Sequence, residues 1–243
     1  MTLDASLEFG EDSRTTDASA AYARLRANVI AGVFLPGEKL RINHICKQYE
    51  IGLAPVREAL NRLSAEGLIV RSDHKGFAVA LVSRTDLLEL TQTRRWISEI
   101  ALREAITHGD DTWEENIVVA FHRMTRVARF IEDKHSIPNP QWNDAHRVFH
   151  SALIAACPSR RLQIFSEQLF DEADRYRNLS AIFNKQSTAD TTNDEHRAIM
   201  NAVLARDVSV AARLMNEHFQ NTCDSLLAKW EEAMGRVPKG ADG

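Results

Sequence analysis

The sequence predicts a mainly α-helical protein in two parts: an N-terminal winged helix-turn-helix and a C-terminal antiparallel all-α bundle. Residues 42–66 read as two short helices joined by a tight turn, and residues 68–82 read as a two-stranded hairpin. Strand signals then vanish from Thr85 onward, while helical periodicity continues to residue 232. Together these observations predict a helical head with a hairpin wing, followed by a helical bundle.

Two helices precede the tight turn. The first is expected over residues 20–32, where apolar residues recur at helical spacing and Gly32 ends the pattern. The run Phe34-Leu-Pro-Gly-Glu predicts a turn. The second helix is expected over Ile42–Tyr49, with Asn43 as a candidate N-cap.

The third helix is expected over Pro55–Glu66. A proline in the first turn loses nothing, because its missing N–H would have no intrahelical partner. The apolar residues of this segment fall on one face, whereas Arg57 and Arg62 point elsewhere. A short helix packed by its apolar side, with arginines near its start, is typical of a recognition helix in a DNA major groove.

The segment after Gly67 predicts the wing. Leu68–Val70 favours one strand, and the alternating run Phe77–Val82 favours a second. The turn between them carries His74 and Lys75, which could reach the minor groove or a phosphate. The alternative is an ordinary solvated turn.

Charge distribution favours nucleic acid as the partner of the N-terminal part. The whole chain has a net charge of −4, but residues 20–83 hold nine lysines and arginines against five acids, a net of +4. A basic module on an acidic body suits a reader of double-stranded DNA. The candidate DNA-contacting residues are Arg41, Pro55, Arg57, Arg62, His74, Lys75 and Gly76.

The C-terminal part predicts six helices joined by short loops, which is the pattern of an antiparallel bundle. Ser83 or Thr85 can cap the first of them. The expected helices span residues 86–107, 112–133, 141–156, 160–182, 190–205 and 208–232.

Composition bounds the class of protein. The 243 residues are 44% hydrophobic and 26% charged, as in a globular protein with a core. No secretory signal and no apolar run of membrane-spanning length is found, so a cytoplasmic protein without a membrane partner is expected. Three widely spaced cysteines are expected to be reduced, buried thiols: Cys46, Cys157 and Cys223. The expected divisions are a disordered tail (1–18), the DNA-binding domain (19–83), the bundle (84–234) and a flexible tail (235–243).

Four histidines of the bundle form a pattern. His146 and His150 are four residues apart on one expected helix, so their rings share a face. His196 and His218 lie on two later helices. Two ligands from one helix and one from each of two others can build a metal site inside a bundle. An i,i+4 histidine pair also arises by coincidence on a surface or in a core.

The N-terminal segment resembles the winged helix of the GntR family of transcription regulators. The matching stretches, in order, are Ile30-Ala-Gly, Pro36-Gly-Glu-Lys-Leu, Pro55-Val-Arg-Glu-Ala-Leu, Leu63-Ser-Ala-Glu-Gly-Leu, and Lys75-Gly with Val79. The bundle resembles the FCD effector domain of the FadR-type branch, and six helices correspond to its VanR-like form. The stretches that carry this likeness are Asp86-Leu with Leu90 and Arg94, Phe149-His, Glu195-His with Ile199, and His218-Phe.

This resemblance implies a metabolite-responsive regulator, most often a repressor, that binds an imperfect palindrome as a homodimer. It implies a divalent metal (Zn, Ni or Mn) held at position 146 and by His150, His196 and His218. Arg94 would face the same pocket and grip a carboxylate of a small organic acid effector.

Some residues depart from the family pattern. Position 146 is histidine where the family usually has aspartate, so the ligand set loses a negative charge. Ser98 replaces a common glutamate, which leaves Arg94 without that i+4 partner. At the turn before Pro55, the residues Gly52, Leu53 and Ala54 replace a usual serine cap and a basic residue.

A second basic-aromatic group, Arg175, Tyr176 and Arg177, is a further candidate for effector binding. The alternative is a salt-bridged helix face.

The leading hypothesis is therefore a one-component transcription regulator. A metal-dependent hydrolase with a histidine-lined bundle is the alternative from another class, although the sequence has no His-Glu-x-x-His motif. A third hypothesis is a structural protein that bridges DNA, for which metal and effector would be irrelevant.

Overall fold

The computed structural model describes residues 16–72, 76–131, 134–183 and 192–235. Within these ranges the chain is mainly helical, as the sequence predicts, with one three-stranded sheet and one two-stranded sheet. The chain divides into two compact units: residues up to 28 with 37–80, and residues 29–36 with 81 onward. The two terminal tails of the sequence prediction lie largely outside the described residues.

The first unit is a small helical domain with a sheet. Its elements are α1 Asp17–Ile30 except for the last two residues, β1 Lys39–Leu40, α2 Ile42–Tyr49, α3 Leu53–Ala65, β2 Ile69–Ser72 and β3 Gly76–Val79. The strands are antiparallel in the order β1-β3-β2, with Val70 opposite Ala78 and Lys39 opposite the same residue on the other side. The predicted hairpin is present, and β1 is an additional strand.

Helix α3 buries one face in this unit. Val56, Ala59, Leu60 and Leu63 are fully buried, as expected for apolar residues spaced three and four apart. The helix begins at Leu53, two residues earlier than predicted, so Pro55 is its third residue.

Helix α2 has the predicted boundaries, Ile42–Tyr49, but the predicted N-cap is wrong. The residue at the N-cap position is Arg41 and not Asn43, and it makes no side-chain capping hydrogen bond.

The second unit contains six helices among the described residues. They are α4 Arg84–His108, α5 Asp111–Thr125, α6 Pro140–Leu153, α7 Arg160–Phe183, α8 Thr192–Leu204 and α9 Val208–Gly235. Their core includes the fully buried residues Ile117, Met124, Phe149, Leu153 and Ile199. Burial of such side chains contributes roughly 1.5–3 kcal/mol each relative to exposure.

Three of these helices begin with a side-chain N-cap. Ser83 accepts a hydrogen bond from the backbone of Asp86 at the start of α4. Asp110 caps α5 through Trp113, and Asn139 caps α6 immediately before Pro140.

The predicted helix over 112–133 is wrong at its C-terminal end. Helix α5 stops at Thr125, and the following residues form β4 Phe130–Ile131, which pairs with β5 Lys134–Pro138. The expectation that strands are absent after Thr85 is wrong for the same reason. Phe130 and Ile131 continued an apolar helical pattern, but their backbone pairs with a strand that local periodicity does not reveal.

The cysteines are free thiols. Cys157 and Cys223 are buried as predicted, whereas Cys46 is only half-buried. No helix among the described residues is both long and apolar enough to cross a membrane.

Candidate metal centre and nucleic-acid interface

The structure brings the four predicted histidines into one cluster. His146 and His150 come from α6, His196 from α8 and His218 from α9, and all four side chains are buried. One nitrogen from each ring lies within 4.8 Å of the corresponding nitrogens of the others. The helical spacing of four between His146 and His150 places both rings on the face of α6 that meets α8 and α9.

Three of these rings point the same nitrogen at a common centre. The Nε2–Nε2 distances are 3.0 Å from His146 to His150, 3.1 Å from His146 to His196 and 3.2 Å from His150 to His196. Two nitrogens bonded to one Zn²⁺ at roughly 2.0–2.1 Å lie about 3 Å apart at right angles and about 3.4 Å apart in a tetrahedron. The three distances therefore match the spacing of nitrogens that share one ion.

Hydrogen bonds constrain the fourth ring and leave two of the others unconstrained. The Nδ1 atom of His218 lies 2.7 Å from a Glu195 carboxylate oxygen, and Asn221 donates to the second oxygen of Glu195 at 2.8 Å. A ring that donates from Nδ1 to a carboxylate presents its Nε2 lone pair, as in many metal sites. The Nδ1 atoms of His146 and His196 are buried without a hydrogen-bond partner, so no protein group prevents their Nε2 atoms from acting as acceptors.

The environment keeps the cluster neutral. Burial, followed by the nearby Arg177, holds the pKa of His146 well below its usual value, and burial acts first on His150 and His196 as well. Burial also lowers the pKa of His218, although the Glu195 carboxylate opposes this shift. Neutral imidazoles with available lone pairs are the protonation state that binds divalent metals.

Arg94 of α4 lies beside this cluster. It is buried, and its guanidinium stacks 4.0 Å from the centre of the Phe219 ring. Burial, with the nearby Arg177, lowers the pKa of Arg94 to about 9, so the side chain stays protonated at neutral pH. Within the described residues, no carboxylate forms an ion pair with Arg94. A buried cation without an ion-pair partner favours an anionic ligand.

A pocket opens next to Arg94 and reaches one of the histidines. Its lining includes Ser98, His150, Ser151 and Phe170 as well as Arg94. An aromatic and apolar wall with a few convergent polar groups is typical of small-molecule sites.

The residues of the second predicted effector group contact different neighbours around α7. Arg177 faces the histidine side of α7, pairs with Asp174, and contributes to the low pKa of His146. Tyr176 lies elsewhere: its hydroxyl interacts with Ser83 and Asp86 at the start of α4.

Arg175 shares the environment of Tyr176. Its pKa is lowered by burial, while Tyr176, Asp86 and Glu172 act in the opposite direction. The three consecutive residues therefore do not converge on one site in this structure.

The candidate DNA-contacting residues of the first unit differ in their surroundings. Arg57 is exposed on α3, and Arg41 is exposed immediately before α2. Pro55 lies in the first turn of α3, and Gly76 begins β3. Arg62 is stacked 4.0 Å from the centre of the Tyr22 ring, which engages its guanidinium within the domain.

The predicted tip of the wing, His74 and Lys75, lies outside the described residues.

Glu195 is a functional candidate that sequence reasoning missed. It precedes His196 in the chain, but its partner is His218, 23 positions away on the next helix. A carboxylate next to a candidate ligand was the available signal, and only the packing of α8 on α9 identifies which histidine it contacts.

Comparisons with known proteins match both parts of the chain. The model of bacterial regulatory proteins of the gntR family matches residues 17–79, and the FCD domain model matches residues 89–221. The uncharacterized HTH-type transcriptional regulator BphR of Paraburkholderia xenovorans is 34% identical, over 89% of this chain and 93% of that protein. The HTH-type transcriptional repressor GlaR of Escherichia coli is 33% identical, over 81% of this chain and 90% of its own length. The solved structure of E. coli McbR/YncC shares the fold, with a TM-score of 0.76 and 17% identity, over 89% of this chain and all of that one.

Proposed function

Because the chain belongs to the GntR family of transcription regulators and carries an FCD domain, we propose that its bundle senses a small organic acid through a bound divalent metal. The family makes the protein a DNA-binding transcription regulator and not an enzyme, so the metallohydrolase alternative is set aside. The single observation that supports the sensor is the convergence of four buried, neutral histidines.

The donor set fits a divalent transition metal. The ion would be held by His146, His150, His196 and His218. Glu195 would orient His218 through the contact of its carboxylate with Nδ1. Such an ion supplies positive charge and open positions for ligand oxygens. Because all four protein ligands are neutral, they cancel none of that charge, which favours an anionic effector.

Arg94 supplies the second contact for that effector. A guanidinium binds a carboxylate through two parallel hydrogen bonds, and Arg94 is buried, protonated and without an ion pair among the described residues. Arg177 lies on the side of α7 that faces the histidines. It pairs with Asp174, so it contributes mainly long-range positive charge. A mono- or dicarboxylic acid, with or without a hydroxyl, is the ligand class that these groups favour.

DNA binding is assigned to the first unit. Exposed Arg57 on α3 would contact a base or phosphate in the major groove, with Arg41 and the wing residues Lys75 and His74 on the backbone. Arg62 would contribute less, since it stacks on Tyr22.

A homodimer would read a palindrome, because two-fold protein symmetry is mirrored in the operator. The matched relative GlaR is a repressor, and we extend that sign of regulation to this chain. Effector binding is expected to lower operator affinity by a coupling free energy of roughly 1–3 kcal/mol, or about 5- to 150-fold.

The test is release of DNA by carboxylates. A labelled duplex is first selected from a random pool with the full-length, metal-loaded protein, and its binding is followed by fluorescence anisotropy. A panel of mono-, di- and hydroxycarboxylates is then added to the wild type, to Arg94→Ala and to Arg103→Ala. Arg103 is an exposed arginine of the same helix that pairs with Glu99, so its variant is the matched control.

The proposal expects at least one acid to release the DNA from the wild type and from Arg103→Ala but not from Arg94→Ala. A response that survives in Arg94→Ala would remove Arg94 from the site. A panel without any response, in a protein that holds one metal per chain, would contradict a carboxylate effector.

A further inference from the structure

The solvent-facing side of the first turn of α3 is apolar. Leu53, the first residue of the helix, is 51% exposed, and Ala54 is also exposed. Gly52, at the N-cap position, provides no side-chain hydrogen bond. The helix therefore begins with two uncovered aliphatic side chains and no polar side chain.

Both residues lie at the leading end of α3, but the geometry of the helix sends them in different directions. Residues of an α-helix are rotated by roughly 100° per position. The fully buried residues Val56, Leu60 and Leu63 lie on one side, and Ala54 falls nearly opposite their mean direction. Leu53 lies roughly 50° from that mean direction but is 51% exposed at the end of the helix. Because Cα–Cβ bonds tilt toward the N-terminus, both side chains project from the leading end of the helix.

The polar residues of the same face come one turn later and are partly engaged. Arg57 and Glu58 are exposed in the second turn. Asn61 follows, and its side-chain oxygen accepts a hydrogen bond from Arg71 of β2 at 2.9 Å. Side-chain hydrogen-bonding readout can therefore come from the second turn, whereas the exposed side chains of the first turn offer only aliphatic groups.

We propose that Leu53 and Ala54 read thymine, by packing against C5-methyl groups in the major groove of the operator. The thymine methyl is the apolar group that base edges present in that groove, and aliphatic side chains recognise it. The occupant is double-stranded DNA because the surrounding segment, residues 20–83, carries a net charge of +4 in a chain whose total is −4. The inference rests on the proposed placement of α3 in the major groove and adds the base that its first turn selects.

The test removes the methyl group without changing base pairing. The duplex selected from a random pool by the full-length protein is synthesised with thymine and again with deoxyuridine at each thymine in turn. For the wild type, loss of a contacted methyl should weaken binding about fourfold, the effect of roughly one buried methylene. At the thymine that Leu53 contacts, Leu53→Ser should bind the two duplexes with equal affinity, whereas Leu53→Met should restore the preference for thymine. A thymine that Ala54 contacts should keep its preference in both variants.

Two control variants complete the design. Val118→Ala truncates an exposed aliphatic residue of α5 in the other unit and should keep the full preference for thymine. Arg57→Ala tests the placement of α3 itself and should weaken binding to both duplexes.

Two outcomes distinguish a failure of thymine readout from a failure of the placement of α3 in the major groove. If deoxyuridine is tolerated everywhere by the wild type while Arg57→Ala weakens binding, thymine readout by the first turn is wrong but α3 still contacts DNA. A loss on deoxyuridine that is equally large in Leu53→Ser at every affected thymine would overturn the assignment to Leu53. If Arg57→Ala binds as well as the wild type, the placement of α3 fails, and the thymine inference fails with it.

Discussion

Acidification should destabilise the metal-free protein through its buried histidines. Burial holds the pKa of His146, His150 and His196 well below the ordinary value of 6.5. Unfolding exposes these rings, so the unfolded chain binds protons below pH 6.5 while the folded rings stay neutral. Their stabilising contribution is therefore complete above about pH 6.5 and is lost as the pH falls below that value.

The size of the effect follows from the number of rings. Between pH 6.5 and 5.5, proton uptake by the unfolded chain removes about 1 kcal/mol of stability for each buried histidine. The three histidines with the strongest shifts should together remove about 3 kcal/mol. That is a large part of the roughly 5–15 kcal/mol by which domains are stable.

The assay is urea unfolding at pH 6.5 and 5.5 in the presence of a chelator. Because carboxylates also titrate, the informative quantity is the pH difference of a variant compared with that of the wild type. His146→Gln should reduce the difference by about 1 kcal/mol, and His122→Gln, which replaces an exposed histidine of α5, should leave it unchanged. An equal pH difference in His146→Gln and the wild type would refute the neutral, buried cluster.

Two further predictions concern metal affinity and packing. Glu195→Ala should weaken metal binding roughly 10- to 100-fold, because the carboxylate that orients His218 is lost. Competition with a chromogenic chelator measures this, and Glu217→Ala, at an exposed residue of α9, should bind as the wild type does. Gly109→Ala should lower the free energy of unfolding by about 1–3 kcal/mol, because a Cβ there would overlap the Trp113 ring. An unchanged urea midpoint would show that the ring moves aside at little cost.

The parts of the fold that the sequence predicts well are those fixed by local periodicity. Helix α3 shows the expected burial of Leu60 and Leu63, and the capping of α4 by Ser83 is one of the two predicted alternatives. The missed strands have two different causes. Lys39 of β1 pairs with Ala78 of β3, far away in the sequence, so no run of neighbouring residues signals that pairing. Strands β4 and β5 form a short hairpin with Ile131 opposite Lys134, and the two residues of β4 are too few to show an alternating pattern.

The candidate site, like the fold, could be predicted only in part from the sequence. The spacing of His146 and His150 places them on one helix face, and the bundle pattern made His196 and His218 candidates for the same site. The resemblance to the family supported that grouping. Which residue of α7 faces the cluster could not be read from three consecutive basic and aromatic residues, because helix rotation sends Tyr176 to a different neighbour from that of Arg177. The roles of these residues in binding metal and effector stay predictions.

The most direct test of the sensor is the metal content of the purified protein. After chelation, reloading with Zn²⁺, Ni²⁺ or Mn²⁺ and removal of excess ion, elemental analysis is made on the wild type, on a His150→Ala/His196→Ala double variant and on His122→Ala. We expect one tightly bound ion per chain in the wild type and in His122→Ala, and none in the double variant. A wild type that retains no ion, or a double variant that retains a full equivalent, would contradict the proposal that these histidines form a metal site.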